Sequence, residues 1–196
     1  MSTKVIMITS QKGGTGKSHI CLNLALNLAT NASVAIVDYD PQGSLSNLDG
    51  HFVDIKIYGA SVTISEIRTL PYDFLILDTP PYLFDATEGL ARISDLIVIP
   101  TKASILDTIA VSKTVELLKS ITPTDRLLLV LNMVKANTTL TDTMYRELKT
   151  FGVAIAKTRV SDLVDFSRSI TNKGVTSSKA KYQLDALTKE ILIKLI

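Results

Sequence analysis

Two lysines, Lys12 and Lys17, stand in the stretch ITSQKGGTGKSHICLNLALNLA, residues 8–29. Gly13, Gly14, Thr15 and Gly16 lie between them and Ser18 follows. An apolar run comes before the glycines and a helical pattern comes after, so the loop joins a strand to a helix. Glycines there let successive backbone N–H groups turn inward around phosphate oxygens. The N-terminus of the following helix adds partial positive charge. Lys17 is placed to reach β- and γ-phosphates, and the Ser18 hydroxyl to ligate Mg²⁺. The usual pattern G-x-x-x-x-G-K-[ST] requires glycine where Gln11 stands, so it fails by one residue while its strand–loop–helix context holds. One lysine is enough to hold a phosphate, and spacing alone does not explain Lys12.

Three carboxylates follow apolar runs. Asp38 and Asp40 lie in VDYDPQGS, and Asp78 closes LILD before TPP. Ligands of open α/β sheets bind outside the carboxyl ends of the strands, so all three belong to the rim that carries the phosphate loop. Asp78 suits a metal site, through the metal's water shell. Asp38 and Asp40 read equally as turn residues ahead of Pro41.

The elements that must position these groups alternate. Apolar runs at 4–9, 33–38, 73–78, 95–100, 126–132 and 152–156 read as strands covered on both faces. Helical patterns fill 17–30, 104–120, 138–150, 161–171 and 178–195. Within the second of these, Leu106, Ile109, Ala110, Val115 and Leu117 suggest the buried face. The segment 49–70 is less defined: VDIKIYG suits a short edge strand and TISEIRTL a helical turn. The pattern predicts a single α/β domain over residues 1–196, a doubly wound, mostly parallel sheet flanked by helices. Apolar residues at 46% and charged residues at 20% fit a globular chain rather than a disordered one. One cysteine, Cys21, excludes an internal disulfide and an iron–sulfur cluster held by one chain. It is expected to lie in the core. No secretory signal and no bilayer-spanning run is evident, which predicts a cytoplasmic protein.

KGGTGKS, VDYDPQGS and LILDTPP together resemble the deviant Walker A, A′ and B motifs of the ParA/MinD ATPases. VIPTKASILD and LLLVLN are similar to later segments of ParA proteins. With no helix-turn-helix segment ahead of the first strand, the small partition ATPases are the expected relatives. The resemblance implies ATP and Mg²⁺ as cofactors and a P-loop fold. It gives Lys12 a role as a signature lysine, reaching in trans to the phosphates of a second protomer in an ATP-dependent homodimer, comparable to an arginine finger. It implies nucleotide contacts at residues 13–19, His19 included, and a metal site of Ser18, Asp38 and Asp78. Asp40 would orient the attacking water. Asn132 would touch adenine, or else serve as a strand-end cap. His19 and His51 lack companion metal ligands. Guanine is disfavoured because NKGV at 172–175 has valine where N-K-x-D needs aspartate.

Charge is uneven. Residues 1–100 hold 6 Lys/Arg against 10 Asp/Glu, and residues 101–196 hold 15 against 9. A basic half suits a solvated surface, nucleic acid or an acidic membrane. The resemblance points to non-specific DNA, a nucleoid-associated protein, and candidate contacts Lys157, Arg159, Arg168 and Lys173. It also implies a ParB-like or other cargo adaptor that stimulates slow hydrolysis. The rival is a MinD-like ATPase on a membrane. Its tail would be a basic amphipathic helix, whereas Leu184, Leu187, Ile191 and Leu195 here suit packing on the sheet.

Overall fold

The computed structural model describes residues 2–135 and 139–196. Seven strands form one parallel sheet: β1 (Lys4–Ile8), β2 (Val34–Asp38), β3 (Ile55–Tyr58), β4 (Phe74–Asp78), β5 (Leu96–Thr101), β6 (Leu127–Leu131) and β7 (Ala154–Ile155). Their order is β3-β2-β4-β1-β5-β6-β7. After β1 the chain passes toward one edge, and after β5 toward the other. The crevice between β1 and β5 is therefore a topological switch point, where doubly wound sheets bind ligands.

Side chains alternate across the sheet as strand geometry demands. Ile6, Ile8, Ile36 and Ile76 pack under α1 (Lys17–Leu28) and α7 (Ser178–Lys194). Val5, Met7, Val37 and Leu77 pack against α3 (Thr87–Ile93), α4 (Ile105–Ile121) and α5 (Thr139–Lys149). Two covered faces explain why the strands read as unbroken apolar runs. Leu184, Leu187, Ile191 and Leu195 are all buried, as the packed-helix reading expects, and so is Cys21. Short α2 (Ile64–Ile67) and edge strand β3 bear out the reading of 49–70.

Several expectations need correction. The buried face of α4 consists of Asp107, Thr108, Val111, Thr114, Val115 and Leu118, while Leu106 and Ile109 are 71% and 52% exposed. Polar Thr108 and Thr114 can face inward because their hydroxyls bond the carbonyls of Ser104 and Ala110 one turn back. The helix expected over 161–171 shrinks to the single turn α6 (Val164–Ser167). Its neighbours are held instead by Asp165, whose carboxylate accepts from the backbone N–H groups of Thr176 and Ser177. Helix α3 was not anticipated, and the strand at 152–156 is only two residues long. Of the helix expected at 138–150, Thr138 lies outside the described residues.

Candidate phosphate-binding site

The loop after β1 is shaped by two left-handed glycines, Gly14 (φ +73°) and Gly16 (φ +86°). Gly16 is also sterically required, because a Cβ there would collide with the Asn132 amide. Asn132 is buried at the end of β6, and its Nδ2 donates to the Thr15 carbonyl at 2.8 Å. In this structure Asn132 braces the phosphate loop. It also lines a mostly apolar pocket beside the loop, with His19, Phe166 and Leu163, of only about 30 Å³. That is room for little more than a water, so a base would have to sit at its mouth or open it.

The loop frames a cleft of about 310 Å³ lined by Gly13, Gly14, Gly16, Lys17, Ser18, His19 and Asp40, among others. Lys17 is 6% exposed, and its Nζ donates to the Lys12 carbonyl at 3.5 Å. Burial lowers its pKa, while Asp78 and Asp40 oppose that shift. Burial also lowers the pKa of His19, which favours a neutral ring.

Asp78 is fully buried at the end of β4, and neither oxygen meets a hydrogen-bond partner among the described residues. Burial pushes its pKa up to about 7. The Ser18 hydroxyl stands near enough to pull it down without completing a bond of good geometry. Asp38 and Asp40 add to the rise and Lys17 opposes it. A buried carboxylate without a donor is costly, and a cation beside Ser18 would satisfy it. The site therefore fits Mg²⁺ through Ser18 and Asp78.

Asp38 sits differently. Its Oδ1 accepts from Asp40 N at 3.0 Å, and its Oδ2 from Leu45 N and Ser46 N at 2.9 Å each. These bonds fold the loop after β2 and set Asp40 at the cleft. Asp38 is thus a loop organiser here, and its lone pairs are largely spent.

Lys12 lies outside the cleft lining. Its Nζ is 2.9 Å from Asp107 Oδ1 on the first turn of α4, and Asp107 is only 6% exposed. Asp107 also accepts from the Ser104 hydroxyl that caps the same helix. The two lysines therefore have different settings, Lys17 in the cleft lining and Lys12 paired with α4. Sequence reasoning missed Asp107, although it lies within the quoted VIPTKASILD, because its partner Lys12 is far away in the chain. It also missed Lys102, just past the carboxyl end of β5, where the rim rule would have placed a ligand group.

The candidate DNA contacts are scattered. Arg159 pairs with Asp142 at 2.8 Å, and its guanidinium lies 5.2 Å from the Tyr145 ring centre. Lys157, Arg168 and Lys173 are exposed, and their side chains form no ion pair among the described residues, although the Lys157 backbone N–H donates to the Glu190 carboxylate at 2.6 Å. No helix among the described residues is long and apolar enough to cross a membrane.

Residues 6–175 match the family described as the CobQ/CobB/MinD/ParA nucleotide binding domain. Maintenance of carboxysome distribution protein A of Halothiobacillus neapolitanus is 28% identical over 201 residues, covering 92% of this chain and 88% of that protein. Sporulation initiation inhibitor protein Soj of Bacillus subtilis is 29% identical over 201 residues, covering 76% of this chain and 79% of Soj. Among solved structures, an ATP complex of Cyanothece McdA superposes with a TM-score of 0.80 at 16% identity, over 99% of this chain and 96% of that one. That likeness shows a shared fold.

Proposed function

The chain belongs to the CobQ/CobB/MinD/ParA nucleotide-binding family, and from that premise we propose that it is a partition-type ATPase whose ATP-bound dimer positions a cargo over DNA. The observation that carries the proposal is the different setting of the two loop lysines: Lys17 buried in the cleft lining, and Lys12 outside that lining and paired with Asp107. Lys17 holds the phosphates of its own nucleotide. Lys12 is free to meet those of a second copy once it leaves Asp107, so assembly depends on nucleotide. Bound Mg²⁺ would neutralise phosphate charge beside Ser18 and Asp78. Asp40, held at the cleft by the Asp38-centred loop, orients the attacking water. Charge neutralisation alone leaves that water poorly ordered, so hydrolysis is slow until an adaptor protein completes the site.

The relatives' names supply the range of cargo. One concerns carboxysome distribution and another sporulation initiation. DNA is favoured over a membrane as the surface because the apolar stripe of α7 is already spent on the core. The exposed Lys157, Arg168 and Lys173 offer phosphate contacts instead. One protomer presents a modest patch, and two held together bind at high effective concentration.

Fluorescence anisotropy with unrelated duplexes tests this. ATP and Mg²⁺ should switch binding on, with a log–log salt slope of about −0.9 per phosphate neutralised. Asp40→Ala should bind DNA as well as the parent and release it more slowly. An ATP-bound protein that ignores DNA at low salt but sediments with anionic liposomes would establish the membrane reading instead.

A further inference from the structure

The segment that carries Arg168 and Lys173 reaches the nucleotide cleft. Ile170 lines the 310 Å³ cleft together with Ser44 and Leu45 of the loop after β2. Turn bonds fold this segment into one piece. Asn172 N–H donates to the Arg168 carbonyl at 2.9 Å, and Gly174 N–H to the Ser169 carbonyl at 2.7 Å. Two side-chain bonds then tie that piece to the site. The Ser169 hydroxyl, fully buried, accepts from Asn23 Nδ2 of α1 at 3.1 Å. The Ile170 carbonyl lies 3.1 Å from His51 Nε2. A carbonyl only accepts, so Nε2 carries the hydrogen. The His51 ring stands edge-on to buried Phe52, with 4.9 Å between ring centres. Between Asp40 and His51 the chain is a run of turns: Gly43 N–H bonds the Asp40 carbonyl, Asn47 N–H that of Gly43, Leu48 N–H that of Leu45, and His51 N–H that of Leu48.

We propose that His51 is a positioning residue that couples nucleotide in the cleft to the setting of Arg168 and Lys173. The inference deepens the proposed function and rests on its DNA-binding reading. Helix α1 begins at Lys17 of the phosphate loop, so Asn23 makes Ser169 a point fixed to that loop. The turns from Asp40 to His51 form the wall that answers to phosphate and cation. Asp40 lines the cleft, and Asp38 closes the same loop at Leu45 and Ser46. His51 hands the position of that wall to Ile170, the residue next to the fixed point. A triphosphate filling the cleft bears on Ser44, Leu45 and Ile170 together, and the His51 bond keeps the two walls in register. Arg168 and Lys173 are then held in one arrangement before DNA arrives. Order established in advance lowers the entropy lost on binding, which raises affinity without a new contact. Without the bond the Ile170 carbonyl turns to water, and the basic segment answers less to the nucleotide.

The test compares the parent, His51→Ala and His51→Gln, whose amide nitrogen offers a donor at a similar reach. ATP titration and sedimentation velocity read the nucleotide site and the dimer. Anisotropy with unrelated duplexes reads DNA binding, and hydrogen exchange reads the amides of residues 168–174 with and without ATP and Mg²⁺. His51→Ala is expected to bind ATP and dimerise as the parent does, and to bind DNA about fivefold more weakly, or about 1 kcal/mol. That is the size a single exposed hydrogen bond supports. In the parent, nucleotide should slow exchange across 168–174. His51→Ala should lose most of that protection, and His51→Gln should recover both it and the DNA affinity. Equal DNA binding and equal protection in the parent and His51→Ala overturn the inference and leave the proposed function standing. Loss of ATP affinity in His51→Ala also overturns it, since His51 then supports the cleft alone. A parent that ignores DNA overturns the proposed function. The exchange comparison then decides the coupling by itself: protection lost in His51→Ala upholds it, and protection unchanged overturns it.

Discussion

At the scale of single residues, the site turns on which buried charges are satisfied. Lys17 lines the cleft and Asp78 lies buried near it, and neither is compensated as it would be beside a phosphate and a cation. Asp78 has its pKa raised from 3.8 to about 7, chiefly by burial. Between those values the folded chain holds a proton that the unfolded chain has released. The stability this confers is fully present below about pH 4 and lost as pH rises through 7. Asp78→Asn should therefore flatten the pH dependence of the nucleotide-free protein. At pH 8 it should raise the melting temperature by several degrees, with an upper bound of about 4 kcal/mol. Saturating Mg²⁺–ATP should remove most of that advantage, because the parent carboxylate then has its cation. Melting curves from pH 5 to 8 that keep the same slope in parent and variant would contradict the burial argument. The strand–loop–helix that carries the glycines was legible in the sequence, since glycine spacing, lysine and serine are a local chemical pattern. The pairing of Lys12 with Asp107 was not, because it joins elements far apart in the chain.

At the scale of elements, the central strands were legible because both faces are covered and every side chain must be apolar. Helix α3 escaped notice because it is short and carries Gly89 in its middle. A Cβ at Gly89 would stand 2.5 Å from Ile64 Cδ1 of α2, the tip of a side chain that would have to turn aside. Helix α4 misled in the opposite direction. Its strongest apolar residues face outward, while its inward face contains threonines that bond their own backbone, a compensation that hydrophobic periodicity does not register. This inversion yields a contrast. Leu106→Ser with Ile109→Ser should change unfolding free energy by about 0.5 kcal/mol or less per site, yet weaken ATP-dependent association. Leu118→Ala, 1% exposed on the opposite face, should cost about 2–5 kcal/mol of stability. Chemical denaturation and dimer titration on the same variants separate the two effects. If the outward pair destabilised the monomer as Leu118→Ala does, the face assignment would be wrong.

At the scale of the whole molecule, an acidic N-terminal half carries the nucleotide site and a basic C-terminal half carries the exposed lysines and arginine. In the proposed cycle an ATP-held pair would align two basic surfaces and hydrolysis would take them apart, so that nucleotide state would set surface affinity. That cycle depends on the two loop lysines having different jobs, which light scattering during size-exclusion chromatography measures directly, combined with ATP-binding titrations. The parent should run as a monomer without nucleotide and as a dimer with ATP and Mg²⁺. Lys17→Ala should lose ATP binding and hence the dimer. Lys12→Ala should bind ATP nearly as the parent does, fail to dimerise, and hydrolyse on the order of 10³-fold more slowly. Identical behaviour of the two variants, with ATP binding and dimerisation lost together in both, would contradict the assignment of one lysine to each nucleotide.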